Sequence, residues 1–124
     1  MAAATKDPSV LWALLGFDGR ISREVYWLST GFCVLLMFAV AMPSVDEATG
    51  TPQFSPAFPF VLMASLWTQF SLTVKRLHDR GLSGWLSLVM AVPFINFIGY
   101  VVIGLLPGDP GRNQFGPGPN TRGV

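Results

Sequence analysis

The sequence predicts an all-α membrane protein, and three observations support that prediction. Only 12% of the 124 residues are charged and 51% are apolar, whereas about 25% of the residues of a soluble domain are charged. Two long stretches, residues 48–74 and 81–108, contain no lysine, arginine, aspartate, glutamate or histidine. Between them, five ionisable side chains occupy the six positions from Lys75 to Arg80. A short charged stretch between uncharged ones is typical of an aqueous loop between membrane-buried helices.

Charge and residue usage also exclude several classes of function. The net charge is +1 and the basic residues are spread along the chain, so we expect no nucleic-acid partner. The chain has one cysteine, Cys33, and one histidine, His78. This excludes an internal disulfide and a zinc site of cysteine and histidine ligands. We therefore expect no metal and no cofactor.

The first segment, residues 1–24, is predicted to lie at the membrane surface on the cytoplasmic side. Its apolar part, Val10–Leu15, is too short to span a bilayer. Together with Trp12 and Phe17, it is typical of an interfacial helix that lies along the lipid headgroups. Asp18-Gly19 then predicts a turn.

Three membrane helices are predicted within a membrane domain at residues 25–106. They cover residues 25–42, 58–79 and 82–106, and a proline-containing loop separates the first two. Ser22 is a candidate N-cap for the first helix, and Glu24 lies in its first turn, where the helix dipole favours a negative charge. The 18 uncharged residues from 25 to 42 form a helix of about 27 Å, close to the thickness of the hydrocarbon layer.

The third apolar run is ambiguous because Pro93 interrupts it. Its 25 residues would form a helix of about 37 Å, enough for one tilted crossing but not for two. The alternatives are one kinked helix and two half-helices that enter the membrane and return. Length favours the single crossing, and we expect three crossings. The tail, residues 107–124, is rich in proline and glycine and is expected to form a turn at most and otherwise to be disordered.

The second helix carries a polar stripe. At 100° per residue, its members fall within an arc of roughly 80°, and such a stripe faces other helices or a water-filled cleft. Hydrogen bonding between helices is the commoner use of such residues. The alternative is a permeation path in an oligomeric transporter or channel subunit, because three helices are too few to enclose a pore. The stripe consists of Ser65, Gln69, Thr73, Arg76 and Arg80.

The basic residues also predict an orientation. The loop after the first helix contains Asp46 and Glu47 but no lysine or arginine, whereas the N-terminal segment and the charged stretch are both basic. The positive-inside rule then places the N-terminus and the charged stretch in the cytoplasm. Three crossings would place Arg112 and Arg122 outside, whereas a returning third segment would place every basic residue inside.

Three motifs stand in order along the chain and carry a resemblance to a known family. With them, residues 16–119 resemble the bacterial inner-membrane family called domain of unknown function 805. The resemblance implies a small helical protein of the bacterial inner membrane, without an established activity, substrate or cofactor. In the third motif, Gln114-Phe115 stands where Arg-Tyr is more usual, which argues against a role for a phenolic hydroxyl there. The motifs are Gly19-Arg20-Ile21-Ser22-Arg23 with Tyr26-Trp27, Lys75-Arg76-Leu77-His78-Asp79-Arg80-Gly81 with Ser83-Gly84-Trp85, and Pro107-Gly108 followed by Gly111-Arg112-Asn113-Gln114-Phe115-Gly116.

His78 and Asp79 invite a catalytic interpretation, but their spacing argues against it. Adjacent residues on a helix point about 100° apart and cannot form the Asp-to-His hydrogen bond of a catalytic triad. The sequence also contains no Gly-x-Ser-x-Gly elbow for a nucleophile. We therefore expect a protein that is not an enzyme.

The working hypothesis is a non-enzymatic membrane protein that binds an anionic lipid headgroup or a membrane partner. Arg76 and Arg80 are four residues apart on a helix and repel each other, so an anion is a natural partner. That anion could be a carboxylate of the chain itself, a lipid headgroup, or a soluble anion or partner protein. Expected partners are membrane lipids, a second copy of the chain or another membrane protein. The candidate binding residues are Arg20, Arg23, Arg76, His78, Asp79, Arg80, Arg112 and Asn113.

Overall fold

The computed structural model of the protein describes residues 7–122. Residues 1–6 at the start of the predicted surface segment, and residues 123–124 at the end of the predicted tail, lie outside the described residues. The elements in chain order are helix α1 (Val10–Leu15), helix α2 (Arg23–Ala41), strands β1 (Ser44–Val45) and β2 (Pro52–Gln53), helix α3 (Phe58–Asp79), a 3₁₀ helix (Gly84–Ala91) and helix α4 (Ile95–Leu105).

Serine side chains cap the first two helices. The Oγ of Ser9 accepts a hydrogen bond from the Trp12 amide at 3.1 Å, and the Oγ of Ser22 accepts one from the Val25 amide at 3.2 Å. Each bond satisfies one of the amides that the first turn of a helix leaves free. The predicted N-cap of the first long helix is therefore confirmed.

The loop after α2 contains a small hairpin that the sequence did not predict. Ser44 pairs with Gln53 and Val45 with Pro52 in antiparallel register. The carboxylate of Asp46 accepts a hydrogen bond from the Ala48 amide at 2.8 Å, which stabilises the turn between the strands. The strands are too short for an apolar alternation to mark them in the sequence.

α3 has the predicted bounds and is the central helix, in contact with α1, α2, the 3₁₀ helix and α4. Its uncharged part, residues 58–74, is followed by a charged end, residues 75–79. α2 is the only helix among residues 7–122 that is long and apolar enough to cross a membrane by length and composition, and Tyr26 is its one fully buried residue.

The predicted third membrane helix, residues 82–106, is two shorter helices, as in the second of the two alternatives that Pro93 left open. The 3₁₀ helix and α4 are separated by Pro93, which lacks an amide donor, and by Phe94, whose φ is +68°. A non-glycine residue with positive φ marks a sharp change in chain direction. Each helix is about 16 Å long, roughly half of the 30 Å hydrocarbon layer.

The two ends of this helix pair lie at the same end of α3. The Leu82 amide donates to the Leu77 carbonyl oxygen at 2.9 Å. After α4, the Arg76 guanidinium donates to the Leu106 carbonyl, and the Arg80 Nη1 donates to the Pro107 carbonyl at 2.6 Å. The segment therefore leaves this end of α3 and returns to it. We call the 3₁₀ helix and α4 together the returning pair.

The described part of the tail, residues 107–122, packs against the end of α3 and the loop before α2, which is more structure than the predicted turn. Its Asp109 amide donates to the Asp79 carbonyl at 2.7 Å, and Thr121 pairs with Arg20 as an antiparallel bridge. Apart from Phe115, its described part has no large apolar side chain with which to build a core. It is held instead by its main-chain groups, which the composition of a sequence does not reveal.

The buried apolar residues form one small core at this same end of the molecule. Outside it, the long helices expose most of their large apolar side chains, as expected for helices whose surroundings are lipid. The core consists of Trp12, Ile21, Tyr26, Leu72, Leu77 and Ile103.

Candidate functional site

The candidate site is built around three charged side chains at the end of α3. The Nε of Arg20 donates to Asp79 Oδ1 at 2.9 Å, and the Nη1 of Arg76 donates to Asp79 Oδ2. The arginine side chains are 0% exposed and the aspartate side chain 3%. We call these three residues the buried arginine cluster. It joins the loop before α2 to α3.

Arg20 uses its remaining donors to hold the tail. Its Nη1 donates to the carbonyl oxygens of Gly111 at 2.6 Å and Gly116 at 3.2 Å, and its Nη2 donates to that of Asp109 at 2.8 Å. Arginine suits this position because its planar guanidinium carries five N–H donors in a fixed arrangement. The tail is therefore folded around a side chain from the other end of the sequence.

Arg76 connects two further segments to the cluster. Its Nη1 also donates to the Ile21 carbonyl at 3.2 Å, and its Nη2 donates to the Leu106 carbonyl after α4. Its Nε is buried and has no acceptor within the described part of the chain. An unpaired buried donor costs about 1–3 kcal/mol, so the cluster is held at some cost in stability.

The cluster contains two positive charges and one negative charge. Burying charge is expensive unless each group is paired and hydrogen-bonded. The main-chain carbonyl oxygens around both guanidinium groups carry the partial negative charge that offsets the excess. Of the partners considered for Arg76, the structure shows the internal one, which is the carboxylate of Asp79 on the same helix.

His78 and Asn113 lie beside the cluster and secure the tail. The His78 Nδ1 donates to the Gly19 carbonyl at 3.1 Å, and its ring stacks on Phe115 with centroids 3.9 Å apart and planes 5° from parallel. The Asn113 amide donates to the His78 carbonyl at 2.9 Å. His78 lies beyond the uncharged part of α3, and burial lowers its pKa, opposed by the hydrogen bond to Gly19.

The neighbouring Asp79 pairs with the two arginines and not with His78. The two side chains therefore do not form an Asp-to-His hydrogen bond. The geometry matches the directions that the helical spacing implies. It places His78 among the groups that secure the tail.

Lys75 is a buried anchor that the sequence did not single out. It lies just beyond the uncharged part of α3, and its Nζ donates to the carbonyl oxygens of Trp12 at 2.6 Å and Ala13 at 2.5 Å. The Nζ also lies 4.8 Å from the centre of the Trp12 ring, a cation–π contact. Burial lowers the pKa of Lys75 to about 8, and the Asp18 carboxylate opposes the shift. The residue ties α1 to α3.

The polar stripe of α3 bonds to neighbouring groups. Gln69 donates to the Tyr26 hydroxyl at 3.1 Å and accepts from the Thr30 hydroxyl at 3.2 Å, both on α2. Thr73 donates to the Gln69 carbonyl within its own helix at 2.8 Å. Ser65 lines a cavity of about 460 Å³ between α2, α3 and α4. The first two contacts are the interhelical use of such a stripe.

A polar cleft opens beside the buried arginine cluster, at the start of α2. Its volume is about 640 Å³. Arg23 is exposed there, and its Nη1 has a long contact of 3.4 Å to the Leu105 carbonyl. Glu24 follows it on the same helix and is also exposed. The lining residues are Ser22, Arg23, Glu24, Arg76, Asp79, Pro107, Gly108, Asp109, Pro119 and Asn120.

An apolar groove adjoins this cleft. It has a volume of about 500 Å³ and runs between α2 and α4, where the Trp27 indole donates to the Gly104 carbonyl at 3.0 Å. Trp27, Leu28 and Leu105 supply most of its apolar surface. Arg23 and Glu24 line both the groove and the cleft. The polar cleft and the apolar groove therefore meet at the first turn of α2.

The structure divides the predicted site residues into three groups. Arg20, Arg76, Asp79, His78 and Asn113 form the interior around the tail, where the first two are fully buried. Arg80 binds the Pro107 carbonyl, and Arg23 lies at the cleft. Arg112 is exposed and lines a different hollow, with His78 and Phe115.

The sequence interpretation missed two acidic residues of the cleft. Neither Glu24 nor Asp109 was among the predicted binding residues. Acidic and basic residues stand close together in the sequence near Arg23 and near Asp109, but this pattern is only a weak indication of a shared site. The return of the chain after Pro93 brings these segments together, and the sequence left that return undecided.

Comparisons with known proteins find one family and several curated relatives. A family model described as "Protein of unknown function (DUF805)" matches residues 14–117. Inner membrane protein YhaH of Escherichia coli K12 is 29% identical over 114 residues, 89% of this chain and 92% of YhaH. Inner membrane protein YhaI of the same strain is 30% identical over 111 residues, 90% of this chain and 92% of YhaI.

A third curated relative, the uncharacterized protein YiiR of Escherichia coli K12, is longer than this chain. It is 35% identical over 99 residues, which are 77% of this chain and 61% of YiiR. No solved structure matches. The region matched by the family model, residues 14–117, includes the buried arginine cluster, the cleft residues Arg23 and Glu24, and most of the tail.

Proposed function

The chain belongs to the DUF805 family of unknown function, with inner membrane proteins among its relatives, and we propose that it binds a phospholipid headgroup at the cytoplasmic face of that membrane. We propose further that it catalyses no reaction. The observation that supports the binding is the junction of the polar cleft with the apolar groove at Arg23 and Glu24. Such a junction matches an amphiphile, whose charged end and hydrocarbon chain need different surroundings.

The proposed topology has two crossings and a re-entrant pair. α2 has 19 residues and α3 has 22, so each is about 28 Å or more in length. Of α3, only the uncharged part, residues 58–74, would lie within the hydrocarbon layer, with the charged end at its surface. The returning pair reaches roughly half that depth and comes back to its starting side. The helix pair would fill the inner half of the membrane beside α2 and α3.

The charges favour one orientation of this arrangement. The hairpin between α2 and α3 holds Asp46 and Glu47 and no basic residue. The other end holds seven of the eight lysines and arginines, and Lys6 lies outside the described residues. The positive-inside rule then places that end in the cytoplasm. The seven residues are Arg20, Arg23, Lys75, Arg76, Arg80, Arg112 and Arg122.

This topology predicts that a reporter fused after Val124 lies in the cytoplasm. A reporter at the N-terminus is expected on the same side, and a label introduced at residue 48 of the hairpin is expected on the opposite side. Paired reporters that are active on only one side of the membrane measure this. An external C-terminus would contradict the returning pair and require a third crossing.

The headgroup binding depends on Arg23, because Arg20 and Arg76 are committed to internal partners. Of the five arginines among the candidate binding residues, these two are fully buried, Arg80 is engaged with Pro107, and Arg112 lies outside the cleft. An exposed guanidinium at the membrane surface attracts anionic lipid groups by about 1 kcal/mol. A phosphate at Arg23 would leave the attached acyl chain beside Trp27 and Leu105 in the apolar groove.

Reversing the charge at Arg23 is expected to remove most co-purified phospholipid. Arg23→Glu replaces an attraction of about 1 kcal/mol by a repulsion of similar size, which corresponds to roughly a 30-fold loss of affinity. Native mass spectrometry of the detergent-purified full chain measures the bound lipid. Arg23 has only one long hydrogen bond to lose, so the variant is expected to fold.

Arg112→Glu is the matched control. It makes the same change of charge at an exposed residue of the same end, outside the cleft. It is expected to keep its bound phospholipid. Equal loss in both variants would mean a general attraction of the surface for lipid, and unchanged lipid in Arg23→Glu would contradict binding at the cleft.

A transporter or channel subunit is the alternative function, and the structure offers it less support. In the polar stripe of α3, Gln69 bonds to α2 and Thr73 bonds within its own helix. Groups that are engaged in this way do not present their polarity to a passing solute. The lipid-binding proposal uses surfaces that the fold leaves open.

A further inference from the structure

The residues lining the polar cleft carry both signs of charge. Arg23 and Arg76 are positive, and Glu24, Asp79 and Asp109 are negative. Arg20, the third member of the buried arginine cluster, stands directly behind Asp79 and adds one positive charge. Three positive and three negative formal charges leave the cleft and its wall neutral. A ligand with a net negative charge is therefore not favoured over a ligand without one.

The charges that remain available are those of Arg23 and Glu24. Arg76 and Asp79 pair with each other, and the Asp109 carboxylate accepts a hydrogen bond from Asn113 at 2.9 Å. Glu24 is exposed and has no hydrogen-bond or ion-pair partner among residues 7–122. Consecutive helical residues point about 100° apart. Arg23 and Glu24 nevertheless both line the cleft and the groove, so a cation and an anion face the same site at two separate positions.

Phospholipid headgroups differ in how well they match this pair. All carry a phosphate that Arg23 can bind. A headgroup that adds only hydroxyls gives Glu24 no cation. A headgroup with a quaternary ammonium supplies the cation but no N–H, whereas a primary ammonium supplies the cation and three N–H donors. A charge-assisted hydrogen bond to the Glu24 carboxylate is possible only with the primary ammonium.

We infer that the phospholipid of the polar cleft is a zwitterionic aminophospholipid, with its phosphate at Arg23 and its primary ammonium at Glu24. The inference rests on the proposed function, because it specifies the lipid class bound at the same cleft. It differs from the sequence-based expectation of an anionic lipid. The neutral balance of the cleft and the unpartnered Glu24 are the reasons for the change.

Competition among three lipids with identical acyl chains tests the inference. Phosphatidylethanolamine, phosphatidylcholine and phosphatidylglycerol are offered to the delipidated full chain in detergent, and the bound species are counted by native mass spectrometry. The wild type is expected to prefer phosphatidylethanolamine by about fivefold over each of the others, as one surface charge pair of about 1 kcal/mol implies. Glu24→Gln is expected to lose the preference over phosphatidylcholine and to keep its binding of both.

Glu47→Gln is the matched control, since it neutralises an exposed acid in the opposite hairpin. It is expected to keep the wild-type preference. Glu24 also favours the start of α2 through the helix dipole, so Glu24→Gln can lower the melting temperature slightly. That structural effect would not change the ranking of the three lipids.

Failure of the inference and failure of the proposed function give different results. If the wild type binds none of the three lipids, the proposed function is wrong. If it binds phospholipid with equal affinity for all three, or prefers phosphatidylglycerol, the proposed function stands and the inference is overturned. A preference for phosphatidylethanolamine that persists in Glu24→Gln would also overturn it.

Discussion

Asp79→Asn is expected to lower the free energy of unfolding by about 3–5 kcal/mol, the usual cost of removing one partner of a buried ion pair. Asp79 is the only carboxylate that pairs with Arg20 and Arg76 among the described residues. Both arginine side chains are 0% exposed, so neither can be solvated without opening the fold. Asparagine retains the shape of the side chain but removes the charge. The loss is large against a typical total stability of about 5–15 kcal/mol.

Unfolding in detergent, followed by circular dichroism or by size-exclusion chromatography after heating, measures this effect. Glu47→Gln neutralises an exposed acid and is expected to change stability by less than about 0.5 kcal/mol. If the two variants unfold alike, the pairing in the cluster is not a main source of stability. Because the ion pairs sit where loop, tail and α3 meet, the tail is expected to become protease-sensitive first in Asp79→Asn.

Gly19→Ala is expected to cost at least about 2 kcal/mol and to detach the tail from the loop before α2. Gly19 has a φ of +87°, which costs an alanine about 1–2 kcal/mol. A Cβ placed there would also lie 2.2 Å from the Thr121 carbonyl oxygen and 2.8 Å from the Arg122 Cα. Main-chain atoms cannot move aside cheaply, so the pairing of Arg20 with Thr121 is expected to break.

Comparison with Gly50→Ala separates the strain of a positive φ from the steric clash with the tail. Gly50 also has a positive φ, +68°, but an added Cβ there meets nothing within 4 Å. It is expected to cost only the backbone term, about 1–2 kcal/mol. Melting temperatures and limited proteolysis of the tail compare the variants. If Gly19→Ala is no worse than Gly50→Ala, the contact between loop and tail contributes little.

The helices that could be predicted are those with strong local signals. Ser22 as N-cap, the 18 uncharged residues of the first run and the charged end after Val74 gave α2 and α3 nearly their observed bounds. Pro93 did not decide between a kink and a return, because a missing amide donor is compatible with both. The decision depends on Arg76 and Arg80 binding carbonyls some 30 residues away.

The site was predictable in its residues but only partly in its arrangement. Arg20, Arg76 and Asp79 were singled out as candidate binding residues, and a carboxylate of the chain itself was one of several anions considered for Arg76. Charge alone does not show whether an arginine binds an external anion or an internal carboxylate. The carbonyl oxygens that surround Arg20 belong to glycine and aspartate residues of the tail, and every residue type has such an oxygen.

The contacts of Arg20 with Gly111 and Gly116 join residues that are 91 and 96 positions apart. During synthesis, α2 and α3 can enter the membrane long before residue 116 leaves the ribosome. Contacts between such distant residues form late, because the chain between them must be ordered first. Until the tail arrives, the Arg20 guanidinium lacks its acceptors there, and a chain that stops early never completes the cluster. We therefore expect this site to be completed late in folding.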